Sequence, residues 1–137
     1  MIVAEQNPVL TRLSSHEADG VSRADLYRDS FHAIPLVTFL TDQRAVILDA
    51  SRTAVTFLNV TPAAIFMKPL LHFVARRETR AFRELVRDMA FDQVGPVVAK
   101  LRPRHGVPCA MSMTAMRVGA RGAFIWVAIP EKPAPVG

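Results

Sequence analysis

Residues 34–51, IPLVTFLTDQRAVILDAS, open the part of the chain that decides the fold. Leu36–Thr41 and Ala45–Ala50 are short apolar runs, and the polar residues 42–44 connect them, which predicts two strands. Several helical segments follow, and three further strands complete the pattern before Glu131. Two strands, a group of helices and three strands on a chain this short predict an α+β fold. We expect a five-stranded antiparallel sheet with its helices packed on one face.

Start and stop signals mark the helices between the two groups of strands. Ser51 is a cap for a helix over Arg52–Leu58, and Asn59 fits the left-handed position at its end. Thr61-Pro62 starts a brief second helix. A longer helix over about Arg77–Ala90 carries one apolar stripe, which predicts that it packs on the core. The stripe consists of Phe82, Leu85, Val86, Met89 and Ala90.

The last three strands are predicted over Pro96–Arg104, Val107–Arg117 and Gly122–Ile129. Side chains of the middle strand alternate with the period of a strand that has one buried face. Residues 124–127, Phe-Ile-Trp-Val, are instead apolar on both faces of their strand. Because the helices cover only one face of the sheet, the second apolar face needs another cover.

One further helix precedes the first strand. Ser22 and Asp25 occupy the positions of a capping box, and apolar residues follow at helical spacing, so residues 22–33 are predicted to form a helix that Pro35 ends. The chain is therefore divided into a flexible N-terminal arm at 1–21, a flanking helix at 22–33, a domain at 34–131 and a proline-rich tail at 132–137.

Composition indicates a single globular domain. The chain has 137 residues, of which 50% are hydrophobic and 21% charged, as is usual for folded domains. No apolar run approaches the ~20 residues of a membrane span, and the N-terminus lacks the pattern of a secretory signal. The single cysteine, Cys109, excludes an internal disulfide. We therefore expect a cytoplasmic protein without a membrane partner.

The net charge of +5 is unevenly distributed along the chain. No acidic residue lies between Asp92 and Glu131, whereas five cations do. These are Lys100, Arg102, Arg104, Arg117 and Arg121. They are interpreted either as a solvated polar face or as the surface of a basic adaptor for nucleic acid or an acidic protein. Because they are spread over two strands and two turns without interleaved aromatics, we favour the solvated face and expect no nucleic-acid partner.

The order and spacing of these elements resemble those of the PAS sensor domain over about Ile34–Ile129. Residues 34–37 followed by Thr41-Asp42 are similar to the first strand of that family and its turn. Residues 104–108, Arg-His-Gly-Val-Pro, resemble the turn between its last hairpin strands, with His105 in place of an acid. There are departures: Met67 stands where glycine is usual, and residues 128–130 replace the Asp-x-Thr signature that closes the last strand.

Members of the resembling family bind haem or flavin, and the residues that each cofactor requires there are missing from this sequence. Haem-binding members carry a ligating histidine on the long helix, and residues 77–90 contain none. Flavin-binding members have a Gly-x-Asn-Cys-Arg-Phe-Leu-Gln signature, which is absent, and Cys109 lies on an alternating strand typical of an inert thiol. The four histidines fall in different predicted segments, so no metal site is expected either. We predict no cofactor, no metal and no catalytic residue.

The resemblance implies a signalling module that binds partners and is not an enzyme. A homodimer is expected, together with a downstream signalling protein. In the predicted interface, residues of the flanking helix and its end meet Phe124 or Trp126, whichever points outward. The helix side of this interface consists of Tyr27, Phe31 and Ile34. A small-molecule enzyme on an α+β scaffold is the weaker alternative, because catalytic groups assemble in space and not in sequence.

A small apolar ligand is a further expectation, because methionine and phenylalanine side chains form adaptable pockets. The same residues are equally suited to filling the core. The predicted pocket residues are Phe57, Phe66, Phe73, Phe82, Met89, Met111 and Met113.

The purified protein is expected to be colourless. Without a histidine on the long helix and without the flavin signature, it lacks the residues that hold either chromophore in the resembling family. An absorption spectrum from the near ultraviolet through the visible checks this. A stoichiometric band above the protein absorption would contradict it.

Overall fold

The structure, a computed structural model, describes residues 22–88, 93–119 and 121–131. The chain divides into two compact units, Met1–Ala33 and Ile34–Gly137. The predicted flexible arm at 1–21 and the proline-rich tail at 132–137 lie outside the described residues. In the first unit, helix α1 spans Arg23–His32, and the Oγ of Ser22 accepts a hydrogen bond from the amide of Asp25 at 3.0 Å. This confirms the predicted helix and its cap.

The second unit contains one antiparallel sheet of five strands, as the sequence predicts. Its strands are β1 Val37–Thr41, β2 Ile47–Ala50, β3 Gln93–Leu101, β4 Cys109–Val118 and β5 Ala123–Pro130. The order across the sheet is β2-β1-β5-β4-β3. The first and last strands therefore lie side by side at the centre, with Phe39 opposite Trp126.

Strand β3 differs from its predicted bounds at both ends. It begins at Gln93, before the Pro96 that was expected to start it, because a shift in register between Val94 and Val97 accommodates the proline. Proline is tolerated on an outer strand, where no ladder hydrogen bond is lost. The strand ends at Leu101 because the next amide, that of Arg102, leaves the sheet and donates to the carbonyl of Phe73 at 2.7 Å.

The helices of the second unit begin and end near the predicted signals. They are α2 Arg52–Leu58, α3 Pro62–Ile65 and α4 Thr79–Arg87, with 3₁₀ turns at Leu70–Phe73 and Arg76–Glu78. Asn59 ends α2 with φ of 57°, and the Oγ1 of Thr61 caps α3. The long helix is shorter than predicted, because a 3₁₀ turn replaces its first residues. Its predicted end, at Met89 and Ala90, lies outside the described residues.

A single buried serine joins the first strand to α2. The Oγ of Ser51 accepts hydrogen bonds from the amides of Thr38 and Ala54, each at 3.1 Å, and donates to the carbonyl of Leu36 at 2.7 Å. Ser51 is fully buried, so each of these bonds replaces one that water would make. The cap of α2 is therefore also the anchor of β1.

The core lies between one face of the sheet and the helices. Buried residues of α2, α3, α4 and the first 3₁₀ turn form one cluster with buried strand residues. At its centre, the ring of Phe82 from α4 lies 5.5 Å from the ring of Trp126. The indole N–H of Trp126 donates to the Oγ1 of Thr41 at 3.0 Å. Trp126 thus buries its large apolar surface and still has its polar atom bonded.

Residues 67–75 bond to the two outer strands of the sheet. The amide of Met67 donates to the carbonyl of Ile47 on β2 at 2.7 Å, and Ile47 donates back to Lys68 at 2.9 Å. At the other edge, the amide of Ala75 donates to the carbonyl of Lys100 on β3 at 2.8 Å. Unpaired edge groups are templates for aggregation. One segment therefore protects part of both edges.

Replacing Phe82 by alanine is expected to lower the free energy of unfolding by about 3–5 kcal/mol, because it empties a fully packed position. Leu85→Ala should cost less, since Leu85 is only half-buried. Arg83→Ala, on the exposed side of the same helix, is the control and should stay within about 0.5 kcal/mol. Urea unfolding measures all three. A Phe82→Ala loss no larger than that of the control would show that α4 is not packed as described.

Gly95→Ala is expected to destabilise the protein more than Gly119→Ala. Both glycines have positive φ, 97° and 70°, so both substitutions strain the backbone. A Cβ at Gly95 would also lie 2.5 Å from the carbonyl oxygen of Met113, whereas one at Gly119 meets nothing within 4 Å. We expect a difference of at least about 1 kcal/mol in thermal or urea unfolding. Equal losses would mean that β3 and β4 are not paired in this register.

Candidate functional site

One face of the sheet is apolar at its centre and carries no helix among the described residues 34–88, 93–119 and 121–131. We call it the open face. Strand pairing arranges the side chains at its centre in three rows across the sheet, and Asp49 and Lys100 lie on the same face on the two outer strands. The rows are Leu40–Ile125–Met116, Thr38–Val127–Thr114, and Ile129–Ser112–Val98. Val98, Met116 and Ile129 are 60%, 45% and 51% exposed. Several exposed large apolar residues on one face are typical of an association surface.

Phe124 and Trp126 do not belong to the open face, and the prediction that one of them points outward is wrong. Both are fully buried on the helix side of the sheet. Residues two apart on a strand share a face, so the two could only be inside or outside together. The outward residues of this strand are Ile125, Val127 and Ile129.

The remaining predicted interface residues lie in α1 and just after it. Tyr27 is 61% exposed, and Phe31 is half-buried. Ile34, the first residue of the second unit, is half-buried too. A dimer through these residues stays a prediction.

The predicted pocket residues divide into three groups. Phe73, Phe82, Met111 and Met113 are 0–6% exposed and belong to one core cluster, against which Phe57 packs. Phe66, just after α3, is 56% exposed and lies outside this cluster. Met89 lies outside the described residues. The structure therefore brings five of the seven together.

The basic stretch does not form one surface. Arg102 and Arg104 lie in the turn before β4, whereas Arg117 and Arg121 lie at and beyond the end of β4. A strand of this length separates the two groups by about 30 Å. The guanidinium of Arg117 stacks on the ring of Phe124, 5.7 Å from its centroid. A continuous basic stripe for nucleic acid is therefore absent from this stretch of the described chain.

Neither a cluster of metal-ligand side chains nor a membrane-crossing helix is found among the described residues. Nowhere within them do three or more histidine, cysteine or acidic side chains converge as a metal site would require. Cys109 is a half-buried free thiol, 3.8 Å from the sulfur of Met111. Among the helices described, none combines the length and apolar character needed to cross a bilayer.

Comparison with known proteins identifies the fold. No family model and no curated protein matches the sequence. The PAS domain of an HTR-like protein from Haloarcula marismortui is similar in structure, with a TM-score of 0.68 and 10% identity, over 88% of this chain and 99% of that one. The PAS domain of a LuxR-family transcriptional regulator from Burkholderia thailandensis, in complex with ethanol, has a TM-score of 0.61 and 15% identity, over 76% and 96%.

A third similar structure is the PAS domain of a quorum-sensing receptor from Cronobacter turicensis in complex with BDSF. Its TM-score is 0.55 at 14% identity, over 71% of this chain and 94% of that one. The chain thus has the PAS fold that the order of its elements predicts.

Proposed function

We propose that this chain, as a PAS-fold protein, is a signalling module that works by pairing with a second copy of itself. The open face carries the proposal. In the proposed dimer, the open faces of two copies meet, and helix α1 contributes to the same contact. A downstream signalling protein then binds according to whether the chain is paired. No catalytic step is part of this function.

The outer strands favour pairing through the face over pairing through an edge. On both β2 and β3, backbone groups already bond to residues 67–75. Strand addition needs a row of free donors and acceptors, which these bonds interrupt. The open face instead offers apolar side chains at its centre, on β4 and β5, where a second copy would bury most surface.

Helix α1 is suited to complete such a contact. Its N-terminus is capped by Ser22, so it does not depend on the sheet for its first turn. Tyr27 presents a large exposed ring with a polar tip, a side chain enriched at interfaces.

A small apolar ligand in the core is the proposed signal. The fully buried Met111 and Met113 lie in one cluster with Phe73 and Phe82. Unbranched methionine side chains rearrange at low cost to admit a ligand. Two similar PAS domains are in complex with a bound compound, ethanol in one and BDSF in the other, which supports a bound ligand in this chain.

Met116→Glu is expected to weaken self-association at least about tenfold, because it places a charge in a desolvated apolar contact. Tyr27→Glu should weaken it too if α1 contributes. Val107→Glu is the control: Val107 is 82% exposed but lies in the β3–β4 turn, away from the open face. Sedimentation velocity over a concentration series measures the dimer. A wild-type protein that stays monomeric, or a control that dissociates as readily as Met116→Glu, would refute the proposed interface.

A further inference from the structure

A cleft of about 720 Å³ lies on the helix side of the molecule, away from the open face. Helix α3, the first 3₁₀ turn and the turn joining β3 to β4 form its walls. Five basic or imidazole side chains line it, and no lining residue is acidic. They are Lys68, His72, Arg102, Arg104 and His105. We call this site the basic cleft.

The charges of the basic cleft are not neutralised by the described part of the protein. None of its five side chains forms an ion pair or a hydrogen bond with residues 22–88, 93–119 or 121–131. All five are exposed. Cations gathered without counter-ions at a concave site produce a focused positive potential, which attracts anions.

The backbone holds the two arginines in fixed positions. The amide of Arg102 donates to the carbonyl of Phe73 at 2.7 Å, and that of Arg104 donates to Leu58 at 2.9 Å. The side-chain amide of Asn59 donates back to the carbonyl of Arg104 at 3.2 Å. The turn is thereby fastened to the end of α2 and to the 3₁₀ turn. A fixed backbone lowers the entropy cost of binding, while the guanidinium groups remain free for a ligand.

The basic cleft also has an apolar lining. It consists of Val60, Ala63, Ala64, Phe73 and Pro103. The imidazole of His72 lies edge-on to the ring of Phe73, with centroids 5.0 Å apart. A ligand with both a charged group and a flat or apolar body fits this combination better than a free inorganic ion.

A second groove continues the positive surface. Arg102 also lines this groove of about 450 Å³, together with Arg76 and Arg77. Its one carboxylate, that of Glu78, accepts a hydrogen bond from the amide of Lys100 at 2.7 Å. Cations on both sides of Arg102 match a ligand with more than one negative charge.

We propose that the basic cleft binds a small organic phosphate of about nucleotide size. Planar guanidinium groups bind phosphate oxygens through paired hydrogen bonds, so Arg102 and Arg104 hold the phosphates. Lys68 adds charge from the facing wall, and the organic part contacts the apolar lining. The cleft volume falls within the usual range for small-molecule sites. This site lies outside the proposed dimer contact, so either proposal can fail without the other.

Titration of ADP into the 137-residue protein tests the proposal, with calorimetry for affinity and amide NMR for location. ADP should shift amide signals along the walls of the basic cleft, and pyrophosphate should bind more weakly at the same residues. Arg102→Gln with Arg104→Gln should weaken ADP binding about tenfold or more, since bonds to charged groups are lost. Adenosine, without phosphate, should not bind.

The control removes the same charge elsewhere. Arg83→Gln with Arg87→Gln, two exposed positions on α4, should change ADP affinity less than about twofold, as screened distant charges do. Lys68→Gln alters the opposite wall and should also weaken binding, which gives a second readout should the double arginine variant not fold. The proposal would be overturned if the α4 control weakened ADP binding equally, or if ADP shifted only amide signals outside the basic cleft. It would also be overturned if the protein bound a DNA oligonucleotide and did not respond to ADP.

Discussion

The structure depends on the hydrogen bonds that residues 67–75 make with the two outer strands. An open sheet has unpaired backbone groups at each edge, and a small protein must cover them or pair with other chains. Here one segment leaves α3, bonds to β2 at Ile47 and reaches β3 at Lys100. It requires a left-handed residue, and Met67 supplies it with φ of 65°. Glycine takes this conformation without strain, so bonding at Ile47 offsets a local backbone cost.

The same bonds create both candidate surfaces. Because residues 67–75 cross the helix side of the sheet, they carry Lys68 and His72 to the turn before β4, where Arg102 and Arg104 lie. The opposite face is covered by no helix in the described part of residues 34–131, and it keeps exposed apolar side chains. If a ligand binds on the helix side and changes pairing on the open face, its effect must be transmitted across the sheet. Trp126 on the central strand is the residue best placed to transmit such a change. Its side chain lies in the core, and its neighbours Ile125 and Val127 lie on the open face.

The two surfaces differ in how they select their binding partners. An apolar sheet face binds through area and shape, and its specificity depends on what it excludes. A cleft lined by guanidinium groups selects ligands by their negative charge and by the arrangement of their oxygens. Its affinity for them falls as the salt concentration rises. If both proposals hold, pairing and anion binding could be tuned separately, because the residues of each lie on opposite sides of the sheet.

The sequence by itself determined the features that depend on local chemistry. The caps at Ser22, Ser51 and Thr61 and the left-handed Asn59 lie where the sequence predicted them, since each involves a bond within a few residues. The order of the elements was sufficient to predict the antiparallel sheet and the PAS fold. The tertiary structure alone decided which face of β5 is inside, because a strand apolar on both sides has no internal preference and the position of Phe82 settles it. It also assembled the basic cleft from two stretches of chain, residues 60–73 and 102–106, that are far apart in the sequence. No local sequence pattern predicts this arrangement, because long-range backbone hydrogen bonds to Phe73 and Leu58 bring the residues together.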